Sequence, residues 1–146
     1  MDAVDVKPGS AMRTYEFRLY PTPSQKRRLE ECLDACRWLY NWGLEDRKNL
    51  WGYAKCPTHF NDQSRFLIEL KKWKPTLAGV HVHILQTTLR RLDLAFKAFF
   101  RRVKAGENPG YPRFKGQGLF DSFSFKEEGN GFGLEGKRLR LSKVGR

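Results

Sequence analysis

Apolar residues along this chain change their spacing twice, from every second position to every third and fourth, and then back to every second. Tyr15, Phe17 and Leu19 alternate with Thr14, Glu16, Arg18 and Tyr20, which predicts a strand with one buried face. Thr22-Pro23-Ser24-Gln25 follows, with Thr as N-cap, Pro at the first helical position and Gln placed to reach back to the cap, so a helix must start there. Leu29, Leu33, Cys36 and Tyr40 extend that helix to about Leu50, with Trp38 and Trp42 on its flanks.

Gly52 to Asn61 reads as a loop around Cys56-Pro57-Thr58. A second helix, short and basic, takes Phe66, Leu67, Leu70 and Trp73 as its buried side, and Pro75 stops it. The third runs from about Val80 to Lys104. It carries Leu85, Leu89, Leu92, Phe96, Phe99 and Val103 on a packing stripe and Gln86, Arg90, Asp93, Lys97, Arg101 and Lys104 on a polar one.

After Gly106-Glu107-Asn108-Pro109-Gly110 the period of two returns. Phe123 and Phe125 alternate with serines, Leu139 and Leu141 with arginines, and Gly129-Asn130-Gly131 and Glu135-Gly136-Lys137 supply turns. A lone strand near the start is not stable by itself. It is therefore expected to join the later strands in one small antiparallel sheet or barrel, with the helices as an insertion. The fold class is α+β, divided into a flexible leader over 1–11, a first strand in 12–22, the helical insertion over 23–105 and the remaining strands in 106–146.

Charge narrows the partner. Lys and Arg number 28 against 16 Asp and Glu, a net charge of +12 on 146 residues, and a polyanion is the default ligand for such a surface. No apolar run approaches the roughly 20 residues of a membrane span, and the first residues lack the form of a signal peptide, so a cytoplasmic, nucleoid-associated protein without membrane contact is expected. Cys32, Cys36 and Cys56 make an odd set, and the first two fall one turn apart as small core residues, so no disulfide is expected.

Catalytic patterns do not emerge. The carboxylates are dispersed, and the adjacent pairs Glu30-Glu31 and Glu127-Glu128 read as solvated surface. Cys56-x-x-His59 has metal-like spacing, but structural zinc sites come as two tight ligand pairs and His81-x-His83 is a poor second pair. Gly116-x-Gly118 lacks the Lys-Ser/Thr and the strand-to-helix setting of a phosphate loop. What remains is a basic helix stripe, and rings interleaved with cations at Tyr111, Arg113, Phe114, Lys115 and Phe120, where core packing is the first role of the aromatics. Gln86 stands out on the polar stripe because its amide can pair bidentately with adenine.

Five ordered blocks then carry a resemblance: Arg18-Leu19-Tyr20-Pro21-Thr22-Pro23-Ser24-Gln25, Cys36-Arg37-Trp38-Leu39-Tyr40-Asn41-Trp42, Leu85-Gln86-Thr87-Thr88-Leu89, Ala95-Phe96-Lys97-Ala98-Phe99-Phe100-Arg101-Arg102 and Gly110-Tyr111-Pro112-Arg113-Phe114-Lys115. In this order, over essentially Met12 to Arg146, the chain resembles the N-terminal half of the TnpB (OrfB) proteins of insertion sequences, RNA-guided DNA endonucleases related to type V CRISPR effectors. The resemblance implies a wedge-like β-barrel with an inserted helical recognition bundle of three helices, which binds a guide RNA and reads a short DNA motif beside the target.

By position Gln86 matches a motif-reading residue of the family, and Phe60, Ser64 and Ser124 fall near other motif-contacting positions, while Val82 and His83 depart from the residues expected there. Arg90, Lys97, Arg101, Lys104, Arg113 and Lys115 are the expected phosphate contacts. The resemblance puts the nuclease domain, its divalent metal and a Cys-rich zinc-binding insert outside this stretch. It leaves no cofactor here, a guide RNA and target DNA as partners, and a separate nuclease-domain chain as a further one. The competing readings are a helix-turn-helix DNA-binding regulator that needs no RNA, and an assembly subunit whose basic face docks an acidic protein.

Overall fold

The structure, a computed structural model, describes residues 14–126 and 131–143. Three helices carry the core: α1 over Pro23–Ala54, α2 over Phe60–Trp73 and α3 over Val82–Ala105, with a short 3-10 helix at Pro75–Gly79 between the last two. An antiparallel hairpin closes the described chain, β1 over Phe132–Glu135 and β2 over Arg138–Leu141. The fold is α+β, and no barrel closes among the described residues.

The start of α1 follows from its first four residues. Gln25 N–H donates to Thr22 Oγ1 at 3.2 Å and Thr22 N–H donates back to Gln25 Oε1 at 3.0 Å, so two orphan donors of the first turn are satisfied reciprocally. Its buried stripe then falls on Cys32, Cys36, Leu39, Tyr40 and Leu44. Each leucine buried this way contributes about 1.5–3 kcal/mol relative to exposure. Trp38 and Trp42 stay on the flanks, half-buried, with Trp42 stacked on Phe66 at 5.8 Å.

Helix α3 is the central element, packing against both α1 and α2. Ile84, Leu85, Leu89, Leu92 and Phe96 face inward, and Gly106 caps the helix in the left-handed conformation. The expected stripe is shortened at its end: Phe99 is half-buried and Val103 is exposed. In α2 the buried side is Gln63, Leu67 and Leu70 rather than Phe66 and Trp73. Phe66 sits at the margin, against Trp42 of α1 and 45% exposed, and Trp73 remains 81% exposed.

Two expected strands are not formed. Residues 14–20 make no ladder, and Tyr15 and Phe17, the presumed inner face, are 42% and 58% exposed. A strand needs a neighbour for its backbone groups, and this segment only approaches one, with Arg18 to Thr22 lining a cleft of about 460 Å³ opposite Arg138, Leu139 and Leu141. Residues 122–125 are likewise outside any sheet. Their carbonyls are taken by α3 side chains, Arg91 Nη1 donating to Ser122 O at 2.7 Å and Thr87 Oγ1 to Ser124 O at 2.8 Å.

The hairpin itself forms at the expected turn, pairing Glu135 with Arg138 and Phe132 with Leu141 around Gly136-Lys137. Leu141 enters the core, and Ser142 N–H returns to Gly131 O at 2.6 Å. The leader, Glu127-Glu128 and the Gly129-Asn130 part of the other turn lie outside the described residues.

Candidate nucleic-acid interface

Three buried polar side chains meet where the three helices come together. Arg47 of α1 donates Nε to Gln63 Oε1 of α2 at 3.0 Å and a terminal nitrogen to Asp93 Oδ1 of α3 at 3.1 Å. Gln63 Nε2 in turn donates to Gly43 O at 2.9 Å and to Asp46 Oδ2 at 3.2 Å. All three central side chains are buried, so each satisfies a partner that would otherwise be stranded away from water. Burial alone would push the Asp93 carboxyl up, but hydrogen bonds and charge from Lys97 and Arg47 outweigh it and hold the group below its ordinary value.

This overturns the reading of Asp93 as part of an exposed stripe. It also changes the roles of two predicted phosphate contacts. Lys97 Nζ sits 3.1 Å and Arg90 3.8 Å from the second Asp93 oxygen, so both cations emerge from a buried anchor instead of standing alone in solvent. Arg101 and Lys104, one and two turns further along α3, are exposed.

The predicted reading residues gather at the other end of α3. Arg90 lies one turn after Gln86, its guanidinium 3.7 Å from the ring centroid of Phe60. The start of α2 thus meets the middle of α3 while its end connects to the start of α3, so the two run antiparallel and Ser64, one turn past Phe60, lies toward Gln86. Gln86 Oε1 accepts from Lys126 Nζ, and Thr87 fixes the carbonyl of Ser124 beside it. Phe60 and Arg90 are thus in contact, Gln86 and Ser124 lie beside the same stretch of α3, and all four, with Ser64, are half-buried or exposed. What this edge offers is an amide, a hydroxyl and a stacked guanidinium, a set that can hydrogen-bond base edges and phosphates.

Arg113 and Lys115 belong to a different surface. The carboxamide of Asn41 clamps Lys115 from both sides, Lys115 N–H donating to Oδ1 at 2.8 Å and Nδ2 donating to Lys115 O at 2.9 Å. Arg37 adds a longer contact to the same carbonyl at 3.5 Å. The clamp fastens the Tyr111-Pro112-Arg113-Phe114-Lys115 segment to α1 and turns the Lys115 ammonium over Tyr40 at 5.8 Å, whereas Arg113 is exposed. Of the interleaved aromatics only Phe120 is buried, while Tyr111 and Phe114 remain accessible beside Lys48.

Sequence reasoning missed Arg47, Gln63 and Asn41. The one available signal was polar residues inside otherwise apolar helical runs.

Thiols and imidazoles form no centre. Cys32, Cys36 and Cys56 are free, with the Cys36 thiol pushed up to about 11 by burial, and no three potential metal ligands cluster among the described residues. Among the described residues, no helix is long and apolar enough to cross a membrane.

The fold is basic and helix-based, and it presents groups of the kind that bind nucleic acid. Residues 12–55 match the helix-turn-helix domain of the OrfB/IS605 family, a stretch that contains the capping box and all of α1. The chain is also 27% identical over 136 residues to the "Putative RNA-guided DNA endonuclease InsQ" of Escherichia coli (strain K12). That alignment covers 92% of this chain and 32% of the relative, so the chain spans about a third of the relative's length. Both similarities support the resemblance carried by the five motif blocks, that of an N-terminal OrfB/TnpB segment.

Proposed function

We propose that this chain is the nucleic-acid recognition lobe of a transposon-encoded, TnpB-type RNA-guided DNA endonuclease, holding a guide RNA and reading a short DNA motif beside the target. The observation that carries this is the contact of Arg90 with Phe60 one turn from Gln86, with the Ser124 carbonyl held by Thr87, because it brings two helices and a distant segment together; Ser64 is assigned to the same edge. Base pairing between guide and target supplies the remaining specificity in such a system, and the protein reads shape, backbone and a short flank. Arg101, Lys104 and Arg113 supply exposed positive charge for phosphates, with Arg90 and Lys97 steadied by Asp93. Target DNA, guide RNA and a nuclease-bearing partner or domain are the implied partners, and association with the nucleoid follows from them. Cleavage is assigned to none of this chain's residues.

The test is to purify the tagged chain from its host after crosslinking and sequence the attached RNA. One enriched structured RNA from a transposon end is the expected result; random RNA, or none, sinks the guided reading.

A second reading, a DNA-binding regulator that needs no RNA, is favoured by the helix-turn-helix match over 12–55. It leaves the segment fastened by Asn41, Thr87 and Arg91 without a role.

A further inference from the structure

A cleft of about 770 Å³ lies between the last turns of α1, the loop after it and the second half of α3, apart from the Gln86 edge. Trp51, Phe99, Phe100 and Tyr111 line it. Phe99 packs edge-on against Phe100 at 5.2 Å and against Tyr111 at 5.1 Å, so the cluster has a fixed floor. Yet Trp51 is 55% and Phe100 59% exposed, and rings of this size left open together mark a binding surface.

Charge identifies the occupant. Arg47, Lys48 and Lys97 line the cleft against a single carboxylate, Asp93, which is already committed to Arg47 and Lys97. Lys48 Nζ stands 5.5 Å from the Tyr111 ring, at the aromatic wall. A ligand with a flat apolar face and an attached negative charge satisfies both features, and the volume falls in the range of about 300–1,000 Å³ that suits a molecule of nucleotide size. Duplex bases are stacked on each other and unavailable to such a cleft, whereas recognition of RNA runs through splayed, unpaired bases stacked on aromatic side chains.

We propose that this cleft receives one unpaired base of an RNA strand, stacked on Trp51 and Phe100 with its phosphate on Lys48 and Lys97. The inference rests on the nucleic-acid reading above but is spatially distinct from it, since Phe100 lies roughly 20 Å along α3 from Gln86.

The experiment titrates the full chain into a short single-stranded RNA carrying one fluorescent aminopurine, and into the matching DNA. Stacking quenches the RNA probe, and Trp51→Ala with Phe100→Ala weakens binding about 10-fold and abolishes the quenching. Undiminished binding and quenching in the double variant overturn the cleft assignment while leaving the recognition-lobe reading intact. Equal binding and quenching of the DNA overturn the commitment to RNA. A native chain that binds neither probe defeats the reading and the inference together. Should the double variant fail to fold, Lys48→Gln decides at an exposed position: an unchanged salt dependence of RNA binding overturns the proposal.

Discussion

Arg47 and Asp93, on different helices and separated by 46 residues of sequence, form a 3.1 Å ion pair with both side chains almost fully buried. The pair is complete only because Gln63 and Lys97 satisfy what it leaves over. Removing one member strands the other charge, at a cost of about 3–5 kcal/mol. Asp93→Ala is therefore expected to destabilise by that order in urea denaturation, and Arg47→Met with Asp93→Leu to recover much of it. The Asp93 carboxyl is held below its ordinary value of 3.8, so its contribution is complete above that pH and is lost as pH falls further through the folded value. Asp93→Asn should flatten that acid limb; an unchanged pH profile would refute the role.

Helix α1 crosses its neighbours at Gly43. A Cβ there would lie 2.7 Å from Leu92 Cδ2 and 3.4 Å from Gln63 Nε2, both from fully buried side chains. Gly43→Ala gains up to about 1 kcal/mol of helix propensity, but overpacking costs about 1–3 kcal/mol and outweighs it. Thermal unfolding should show a lowered Tm, partly restored by Leu92→Val. A raised Tm in the single variant would show that the crossing has room to give.

His81 caps α3 by accepting from His83 N–H through Nδ1, which requires the unprotonated ring. Burial, followed by the neighbouring His83, Lys143 and Lys71, lowers its pKa. A depressed value means the folded state binds the proton less readily than the unfolded chain. Its contribution is thus present above 6.5 and is lost as pH falls below it toward the folded value. His81→Asn, which caps without titrating, should remove this component of a stability profile measured across that range. An identical profile in the variant excludes the cap as its source.

At the far end of α3, Arg101 and Lys97 differ in what already neutralises them. Arg101→Ala is expected to lower the slope of log K against log salt for DNA binding by about 1, and Lys97→Ala by less, because Asp93 lies 3.1 Å from Lys97 Nζ. Slopes unchanged in the double variant would remove this part of α3 from the interface.

Gln86 makes a different kind of contact. Gln86→Ala should alter the preferred sequence in a binding assay with randomised DNA flanks while leaving the salt slope near its original value. An unaltered preference assigns base reading elsewhere, with the Lys126 contact as a purely structural role for the amide.

Sequence alone determined the features set by neighbours a few residues apart. The Thr22 and Gln25 box starts α1, the Leu85 to Phe96 stripe makes α3 amphipathic, and Gly136-Lys137 closes the hairpin, because capping, helical period and turn chemistry are local. Phe60 was singled out only by a positional resemblance and Arg90 only by the basic stripe, and their contact was not legible. Tertiary structure alone decided that Asp93 is buried, that Asn41 clamps Lys115 across 74 residues, and that 14–20 and 122–125 stay out of any sheet. The reason is that burial and strand pairing are properties of a neighbour: a period of two shows which face a strand would present, and only the packed chain supplies the ladder or withholds it.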